Sequence, residues 1–249
     1  MSPAAPAGRE QRAERTVMDV LRLSTEYLAD HRSASPRLDA ELLLAHALRV
    51  RRIDLYLMHD RPLRDDELTA ARRLVRRRAG HEPVAYITGT REFYGRAFAV
   101  TPAVLIPRPE TETIIEVALT TLRHSRDTVV ADLGTGSGAI AVTLAAEVPE
   151  LHVIAVDISA GALEVAGRNA VAHGVEDRVT LAEGDWGGPL TSPVAMVVSN
   201  PPYVSTDELA ATEPDVRDFE PEVALDGGRD GMDAYHALLD GLPGRLRGG

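Results

Sequence analysis

A turn with three glycines between residues 134 and 138 separates two stretches of opposite character. The apolar run before it, residues 128–133, has the length of a buried strand, and residues 140–146 after it are typical of a helix. Glycines at such a junction let the backbone approach a ligand closely, and the N–H groups at the start of the helix favour a carboxylate or a phosphate. The turn therefore predicts an α/β fold with a binding site at the carboxyl end of a strand.

Apolar runs and helical stretches continue to alternate after this turn. We expect further strands at Val153–Asp157, Val179–Leu181 and Val194–Ser199. Strands that alternate with helices predict a parallel sheet with right-handed crossovers. The expected fold class is α/β, in a Rossmann-like domain that occupies residues 107–249.

The first third of the chain has helical periodicity instead. Apolar residues recur every three or four positions over residues 16–28 and 38–48, and Ser35-Pro36 supplies an N-cap and a first-turn proline. A third helix is expected at about residues 66–78. We therefore predict a flexible tail at residues 1–12 and a small helical domain at residues 13–84.

Two features complete the outline of this first part. β-branched and aromatic residues around Tyr94-Gly95-Arg96 predict a β-hairpin connector over residues 85–106. The third helix carries a basic face, which is either a solvated surface or a docking face for an acidic partner. Its members are Arg72, Arg73, Arg76, Arg77 and Arg78.

Composition excludes several classes of chemistry. The chain has no cysteine, so disulfides and thiolate sites are absent, and all 27 of its basic residues are arginine. Without lysine, neither Schiff-base chemistry nor the lysine of a P-loop is available. The eight histidines show no spacing typical of a metal site. Without a signal-peptide core or a long apolar run, we expect a cytoplasmic protein with no membrane contact.

Charge is distributed unevenly over the chain. The net charge of −11 comprises +3 over residues 1–90 and −14 over residues 91–249. An acidic second part repels a phosphate backbone, whereas it attracts a ligand that carries a cation such as a sulfonium. Nucleic acid is therefore not expected as a direct substrate.

The glycine turn is compatible with two classes of ligand. Gly134-x-Gly136-x-x-Ala139, with Asp157 nineteen residues after the last glycine, has the spacing of a dinucleotide fingerprint. The same acid could accept hydrogen bonds from the ribose of another adenosine-bearing ligand. The turn alone does not decide between these classes.

Acidic and aromatic residues near the other strand ends favour a cationic ligand. Asp132 precedes the first glycine, where a carboxylate suits a cation and disfavours a pyrophosphate. Asp185-Trp186 follows the third strand and could hydrogen-bond and cover an adenine. Because ligands collect at the carboxyl ends of strands, we expect these residues, Asp157 and Asn200 to converge.

Asn200 begins the motif Asn200-Pro201-Pro202-Tyr203, which suits a planar amide-type nitrogen. Such a nitrogen is a poor nucleophile, because its lone pair is delocalised. If the Asn200 side-chain oxygen and the Pro201 carbonyl accept hydrogen bonds from its two N–H groups, they favour the pyramidal form of the nitrogen, which attacks a methyl donor. The prolines hold that carbonyl rigid, and Tyr203 could stack on the amide. The alternative is an ordinary rigid turn.

The motifs together resemble the bacterial release-factor glutamine methyltransferases, the HemK-type family, over most of the chain. The residues that carry the resemblance are Asp132–Ala139, Asp157, Trp186, Asn200–Tyr203, Glu92–Gly95, Ile106–Glu112, Phe219–Pro221 and Ala224–Gly228. The resemblance implies a class I methyltransferase fold with S-adenosyl-L-methionine as cofactor. It also implies methyl transfer to the glutamine of the Gly-Gly-Gln motif in peptide chain release factors, which would be the protein partners.

The resemblance and the strand-end argument together assign the site residues. The segment from Pro107 to Glu112 is expected to form a pocket wall. The residues expected to hold the acceptor glutamine are Asn200, Pro201, Pro202 and Tyr203. Those expected to bind the cofactor are Asp132, Gly134, Thr135, Gly136, Ser137, Gly138, Asp157, Asp185, Trp186 and Asn200. No metal site is expected.

The sequence departs from the family at its end. Family members continue into roughly three further strands, whereas this sequence stops at Gly249. We therefore expect the fourth strand to present an uncovered apolar edge. Three other functions stay open from the sequence: methylation of a ribosomal-protein glutamine, methylation of DNA adenine, and binding of the donor without catalysis.

Overall fold

The computed structural model of the protein describes residues 15–122 and 128–247. The predicted tail at residues 1–12 lies outside the described residues. The chain divides into two compact units, Met1–Ile87 and Thr88–Gly249.

The elements follow one another along the chain as helices first and alternating strands and helices later. The helices are α1 (Val17–Asp30), α2 (Pro36–Leu48), α3 (Asp54–Leu57), α4 (Asp65–Ala79), α5 (Val84–Thr88), α6 (Glu112–Leu122), α7 (Ala139–Glu147), α8 (Ala160–Ala172), α9 (Thr206–Leu209), α10 (Pro214–Arg217) and α11 (Asp233–Asp240). The strands are β1 (Thr90–Phe93), β2 (Arg96–Ala99), β3 (Val129–Leu133), β4 (His152–Asp157), β5 (Val179–Glu183) and β6 (Met196–Ser199).

The first unit is helical, and α1, α2 and α4 surround one apolar core. Leu21, Leu43 and Leu44 are fully buried in it. Thr16 is the N-cap of α1, and its side-chain oxygen accepts from the N–H of Asp19. The Asp19 carboxylate accepts in return from the N–H of Thr16, which completes a capping box. The three predicted helices of this part are all present, and their ends differ from the predicted ones by at most two residues.

The predicted basic face of α4 is wrong at one of its members. Arg78 is 9% exposed, and its Nε lies 2.7 Å from Oδ2 of the buried Asp39 on α2. A guanidinium enters a core only when a carboxylate compensates its charge, so Arg78 ties two helices together. Arg77 in turn pairs with Glu82. The exposed arginines of the face are therefore Arg72, Arg73, Arg76 and Arg77, of which Arg77 is paired.

The hairpin connector begins later than predicted. Residues 84–88 form the short helix α5, in which the N–H groups of Tyr86 and Ile87 both donate to the carbonyl of Pro83. Tyr86 and Ile87 are buried, so the packing of these side chains overrides their strand propensity. The hairpin itself is present, with β1 and β2 antiparallel and Phe93 opposite Arg96.

The second unit contains a four-stranded parallel sheet of order β5-β4-β3-β6. The predicted strands are all present, and the sheet has the crossover topology that their alternation with helices indicated. α7 is buried along all residues from Ala139 to Ala145, because the sheet, α6 and α8 all pack against it. This explains why its sequence is apolar on every side.

The outer edge of β6 is not fully uncovered, which corrects the prediction. The N–H of Val194, just before β6, donates to the carbonyl of Arg245 at 2.8 Å. The N–H of Arg247 donates in return to the carbonyl of Val194 at 3.0 Å. Leu246 thus lies parallel to Val194 in an isolated bridge and covers the edge at its beginning.

Candidate active site

The register of the sheet brings the strand ends to one edge. Leu133 lies opposite Val156 and Ser199, and Asp157 lies opposite Glu183. A cavity of about 390 Å³ opens at this edge. Nine of the predicted site residues line it: Gly134, Thr135, Gly136, Ser137, Asp157, Asp185, Trp186, Asn200 and Pro202.

The first two glycines of the turn adopt conformations that only glycine takes easily. Gly134 has φ of +74° and Gly136 has φ of +55°, both in the left-handed region. The N–H groups of Gly134 and Thr135 both donate to the carbonyl of Val156 at 2.9 Å, which anchors the turn on β4. The turn is thus fixed by backbone contacts while its outer side faces the cavity.

The third glycine, Gly138, was expected to bind the cofactor, but it contacts a helix instead of the cavity. It lies outside the cavity lining and is the N-cap of α7, with φ of +78°. A Cβ atom on Gly138 would lie 3.1 Å from the Cβ of Ala166 on α8. Gly138 therefore permits close packing of two helices beneath the cavity.

Asp157 connects β4 to the glycine turn. One carboxylate oxygen accepts from the N–H of Gly136 at 2.8 Å, and the other accepts from the N–H of Ser159 at 2.9 Å. Each oxygen has a second lone pair. The half-buried carboxylate therefore retains acceptor capacity toward the cavity that it lines.

Asp132 does not line the cavity, so the structure does not place it beside a bound cation. It is fully buried beneath the turn, and its Oδ2 accepts from the Thr135 hydroxyl at 2.6 Å and from the N–H of Ala141 at 3.1 Å. Burial raises the pKa of the Asp132 carboxyl to about 7; the two hydrogen bonds oppose this rise, and the charge of Asp157 adds to it. Asp132 supports the turn from within.

Trp186 and Asp185 form another wall of the cavity. The indole of Trp186 approaches Gly134, where a Cβ atom would lie 4.0 Å from the ring. Trp186 has φ of +41°, an unusual conformation for an aromatic residue, and its ring also packs against the core beneath β6. Trp186 thus both packs against the core and lines the cavity. Asp185 is exposed at the cavity.

Only part of the motif that follows β6 lines the cavity. Asn200 and Pro202 line the cavity, Pro201 is buried, and Tyr203 is 60% exposed and outside the lining. The hydroxyl of Ser199, just before Asn200, donates to the carbonyl of Leu133 at 2.6 Å. This bond ties the start of the motif to the strand that precedes the glycine turn.

Asn169 on α8 was not among the predicted site residues, yet it supports the glycine turn. Its side chain, 1% exposed, exchanges two hydrogen bonds with the backbone of Ala99 and donates to the carbonyl of Ser137 at 2.8 Å. It therefore joins the hairpin to the glycine turn. A lone asparagine in an apolar helix was the available signal, because a buried amide needs partners.

The predicted wall from Pro107 to Glu112 contributes Pro107, Arg108 and Thr111 to the cavity. Glu220, whose side chain is 1% exposed, holds this wall in place. It accepts from the Arg108 guanidinium at 2.5 Å and from the N–H of Ile106 at 3.1 Å. In the sequence, Glu220 belongs to the segment Phe219–Pro221 that carries the family resemblance, and that resemblance predicts no role for its side chain.

The opposite wall was not predicted at all. It comes from the last part of the described chain and includes Val223, Asp226, Asp233, Ala234 and Ala237. Within residues 15–122 and 128–247, no cluster of three or more acids or histidines is arranged to hold a metal ion. No helix of that same part is long and apolar enough to cross a membrane.

The sequence profile of the PrmC N-terminal domain matches residues 19–89, and that of the methyltransferase small domain matches residues 113–215. A release factor glutamine methyltransferase of Geobacter sulfurreducens is 47% identical over 94% of this chain and 81% of its own length. The chain belongs to the release factor glutamine methyltransferase family. Family members from Nitratidesulfovibrio vulgaris and Chlorobaculum tepidum are 45% and 42% identical and are covered over 76% and 83% of their lengths.

Family membership confirms the expected methyltransferase, the expected cofactor S-adenosylmethionine and the Rossmann-like fold, and it sets the dinucleotide interpretation aside. Among solved structures, the hMettl16 catalytic domain in complex with the MAT2A 3′UTR hairpin 6 superposes with a TM-score of 0.51. The match covers 66% of this chain and 63% of that one at 16% identity. At that identity, the likeness is one of fold.

Proposed function

We propose that this methyltransferase transfers a methyl group from S-adenosylmethionine to the side-chain amide of the glutamine in the Gly-Gly-Gln motif of release factors. The observation that carries the proposal is the convergence of the glycine turn, Asp157 and Asn200 on one cavity. Relatives at 42–47% identity that are named release factor glutamine methyltransferases support the choice of acceptor.

The cavity fits the cofactor in shape and charge. Its lining contains Asp157, Asp185, Asp226 and Asp233, against Arg108 as the cationic side chain among the described lining residues. Such a surface favours a ligand that carries a sulfonium. The open space beside Gly136, where nothing lies within 4 Å of a notional Cβ, leaves room for a ligand against the backbone.

On this basis we assign roles to the part of the cavity formed by the glycine turn, Asp157, Asp185 and Trp186, which we call the donor side. Asp157 would accept hydrogen bonds from the ribose hydroxyls, while Asp185 and Trp186 would face the adenine. Gly134, Thr135, Gly136 and Ser137, which line the same cavity, would contact the methionine portion. Asp132 and Gly138 would act indirectly, by holding the turn and the helix that follows it.

The part of the cavity formed by the motif from Asn200 to Tyr203, which we call the acceptor side, would bind and orient the glutamine amide. When bound, S-adenosylmethionine supplies an electrophilic methyl group on a positively charged sulfur. The Asn200 side-chain oxygen and the Pro201 carbonyl would accept the two N–H hydrogens of the glutamine amide and aim its lone pair at that methyl. The nitrogen would take the methyl group, the sulfur would keep the electron pair of the broken C–S bond, and the nitrogen would then release one proton to water.

Pro202 and Tyr203 complete the proposed acceptor site. The fixed φ angles of the two prolines hold the Pro201 carbonyl in place. Tyr203, at 60% exposure, is accessible to a peptide that enters from solvent. Its ring would stack on the planar amide once the acceptor binds.

We also propose the domain division of the sequence analysis, with the cofactor-binding domain at residues 107–249 and the helical domain at residues 13–84. The helix at residues 84–88 replaces the first part of the predicted connector. A cytoplasmic location belongs to the same proposal, since peptide chain release factors act in translation.

A radiolabelled-donor assay tests the function. The full chain is incubated with labelled S-adenosylmethionine and, separately, with a Gly-Gly-Gln peptide, an intact release factor, a ribosomal protein and DNA. We expect label on the release factor and the peptide, and loss of that label when glutamine is replaced by alanine. Label on the ribosomal protein or on DNA alone, or label on no acceptor, would overturn the proposal.

A further inference from the structure

The segment that contains Asn200-Pro201-Pro202-Tyr203 has no regular secondary structure of its own. It runs from the end of β6 at Ser199 to Thr206, where α9 begins. Its two prolines have no N–H group with which to form hydrogen bonds. The position of Asn200 therefore depends on what packs against this segment.

A glycine-rich loop, residues 225–231, packs against this segment; we call it the clamp loop. The N–H of Val204 donates to the carbonyl of Leu225 at 3.0 Å, and the N–H of Gly227 donates to the carbonyl of Val204 at 2.8 Å. The N–H of Thr206 donates to the carbonyl of Gly228 at 3.0 Å. Val204 and Asp226 thus form a short parallel bridge.

Two glycines of the clamp loop leave no space between it and the motif. A Cβ atom on Gly227 would lie 2.8 Å from the Cα of Tyr203 and 2.9 Å from the carbonyl oxygen of Pro202. A Cβ atom on Gly231 would lie 2.5 Å from the carbonyl oxygen of Tyr203. These neighbours are backbone atoms, so no side-chain rotation can make room.

The clamp loop is itself held by Asp226. Its Oδ1 accepts from the N–H of Gly228 at 2.9 Å and from the hydroxyl of Thr206 at 3.0 Å. Asp226 also lines the cavity, and the loop continues into α11, which supplies Asp233 to the same lining. One element therefore forms a cavity wall and fixes the backbone of the acceptor motif.

We propose that Gly227 and Gly231 are positioning residues for methyl transfer, which act by fixing the backbone of Pro202 and Tyr203. Because the prolines are rigid, a displacement at Pro202 passes to the Pro201 carbonyl and to Asn200. The proposal rests on the proposed function, in which these two groups aim the acceptor nitrogen. The glycine turn and Asp157 lie on other elements and keep their contacts when the clamp loop moves.

The test compares Gly227→Ala with the parent in the full chain. Donor affinity is measured by calorimetry, and single-turnover methyl transfer to a Gly-Gly-Gln peptide is measured with both substrates saturating. We expect the rate to fall at least about 10-fold, because small misplacements of reacting groups are costly. Donor affinity should stay within about 3-fold of the parent.

Gly174→Ala is the matched control. Gly174 follows α8 with φ of +66°, and nothing lies within 4 Å of its notional Cβ, so this variant adds the same methyl group with backbone strain but no clash. It should transfer methyl groups at the parental rate. A Gly227→Ala rate equal to the parental rate, or a loss of donor affinity as large as the loss of rate, would overturn the proposal.

Two further measurements keep the outcome decisive. Amide hydrogen exchange at Val204 and Thr206 should be faster in Gly227→Ala than in Gly174→Ala or the parent, and equal exchange would count against the clamp even if the parent methylates no acceptor. If Gly227→Ala does not fold, Asp226→Asn, which keeps the Oδ1 acceptor, should retain more activity than Asp226→Ala. Equal losses in these two variants would also overturn the proposal.

Discussion

The two sides of the cavity are held in different ways. On the donor side, the glycine turn lies between a central strand and a buried helix. The side chains of Asp157 and Asn169 bind its backbone, and Asp132 accepts from the hydroxyl of Thr135. On the acceptor side, the motif from Asn200 lies beyond the edge strand β6, and a second irregular loop holds it backbone to backbone.

This difference matches the different demands of the two substrates. A donor that is shared by a whole fold class can be bound by a rigid part of the sheet. An acceptor within a protein must enter from solvent, so its site needs an open edge that is fixed by local contacts. Variants on the donor side should therefore change donor affinity, and variants on the acceptor side should change the rate of transfer.

The largest effect is expected at Asn200. Asn200→Ala should lower the single-turnover rate with saturating donor and Gly-Gly-Gln peptide by about 10²–10³, as loss of one preorganised electrostatic partner does. Donor affinity should change only a few fold. Asn200→Asp should not restore the full rate, because its negative charge stabilises the sulfonium more than the transition state. A parental rate in Asn200→Ala would contradict the division between the two sides.

The reverse pattern is expected at Asp157. Asp157→Ala should weaken donor binding by about 1.5–3 kcal/mol, the range for hydrogen bonds to a charged group. The variant also loses acceptors for the N–H groups of Gly136 and Ser159, which loosens the turn. Calorimetry with S-adenosylmethionine measures the affinity. An unchanged dissociation constant would remove Asp157 from the donor side.

The ion pair between Arg108 and Glu220 predicts a loss of stability. Arg108→Ala leaves a carboxylate that is 1% exposed without its cation, which should cost about 1–3 kcal/mol in the free energy of unfolding. Arg96→Ala is the control, because its pair with Glu147 has both side chains about a third exposed and should cost at most about 1 kcal/mol. Urea unfolding compares the two variants. Equal losses would show that burial of Glu220 does not matter.

The last expected effect is a pH dependence of stability at Asp132. The folded chain retains the Asp132 proton up to about pH 7, whereas the unfolded chain releases it near pH 3.8. The unfolded state binds fewer protons in this window, so the free energy of unfolding falls as pH rises, by at most about 1.4 kcal/mol per pH unit.

Asp132→Asn removes the titrating proton and keeps an oxygen that can accept from Thr135 and Ala141. Urea unfolding between pH 4 and pH 7 should therefore show a flatter curve for this variant than for the parent. The exposed Asp185, replaced by Asn, serves as the control and should leave the parental curve unchanged. Parallel curves for the parent and Asp132→Asn would contradict a raised pKa.

Short-range patterns in the sequence predicted the three long helices of the first unit, the strands of the parallel sheet and the residues at the strand ends, but not the short helix α5. The glycine turn and Asn200 could be located because each follows an apolar strand, and parallel strands end at one edge. The direction of a side chain was harder to predict. Asp132 lies two residues before Gly134, yet its side chain is fully buried, because consecutive residues of β3 are buried on both faces of the parallel sheet.

Short-range patterns could not predict contacts between residues that are far apart in the sequence. Asn169 contacts Ala99 from 70 positions away, and Glu220 contacts Arg108 from 112 positions away. Arg78, which the sequence assigned to a surface, pairs with Asp39 inside the helical unit. Each case involves a buried polar group whose partner comes from another element, and local periodicity contains no information about that partner.

Trp186 gives the protein an optical property of its own. It is the single tryptophan of the chain, and it lines the cavity beside Gly134. Indole emission therefore comes from one place, at the wall where the adenine of the donor is proposed to lie. Occupancy of the donor side can then be followed by intrinsic fluorescence without any label.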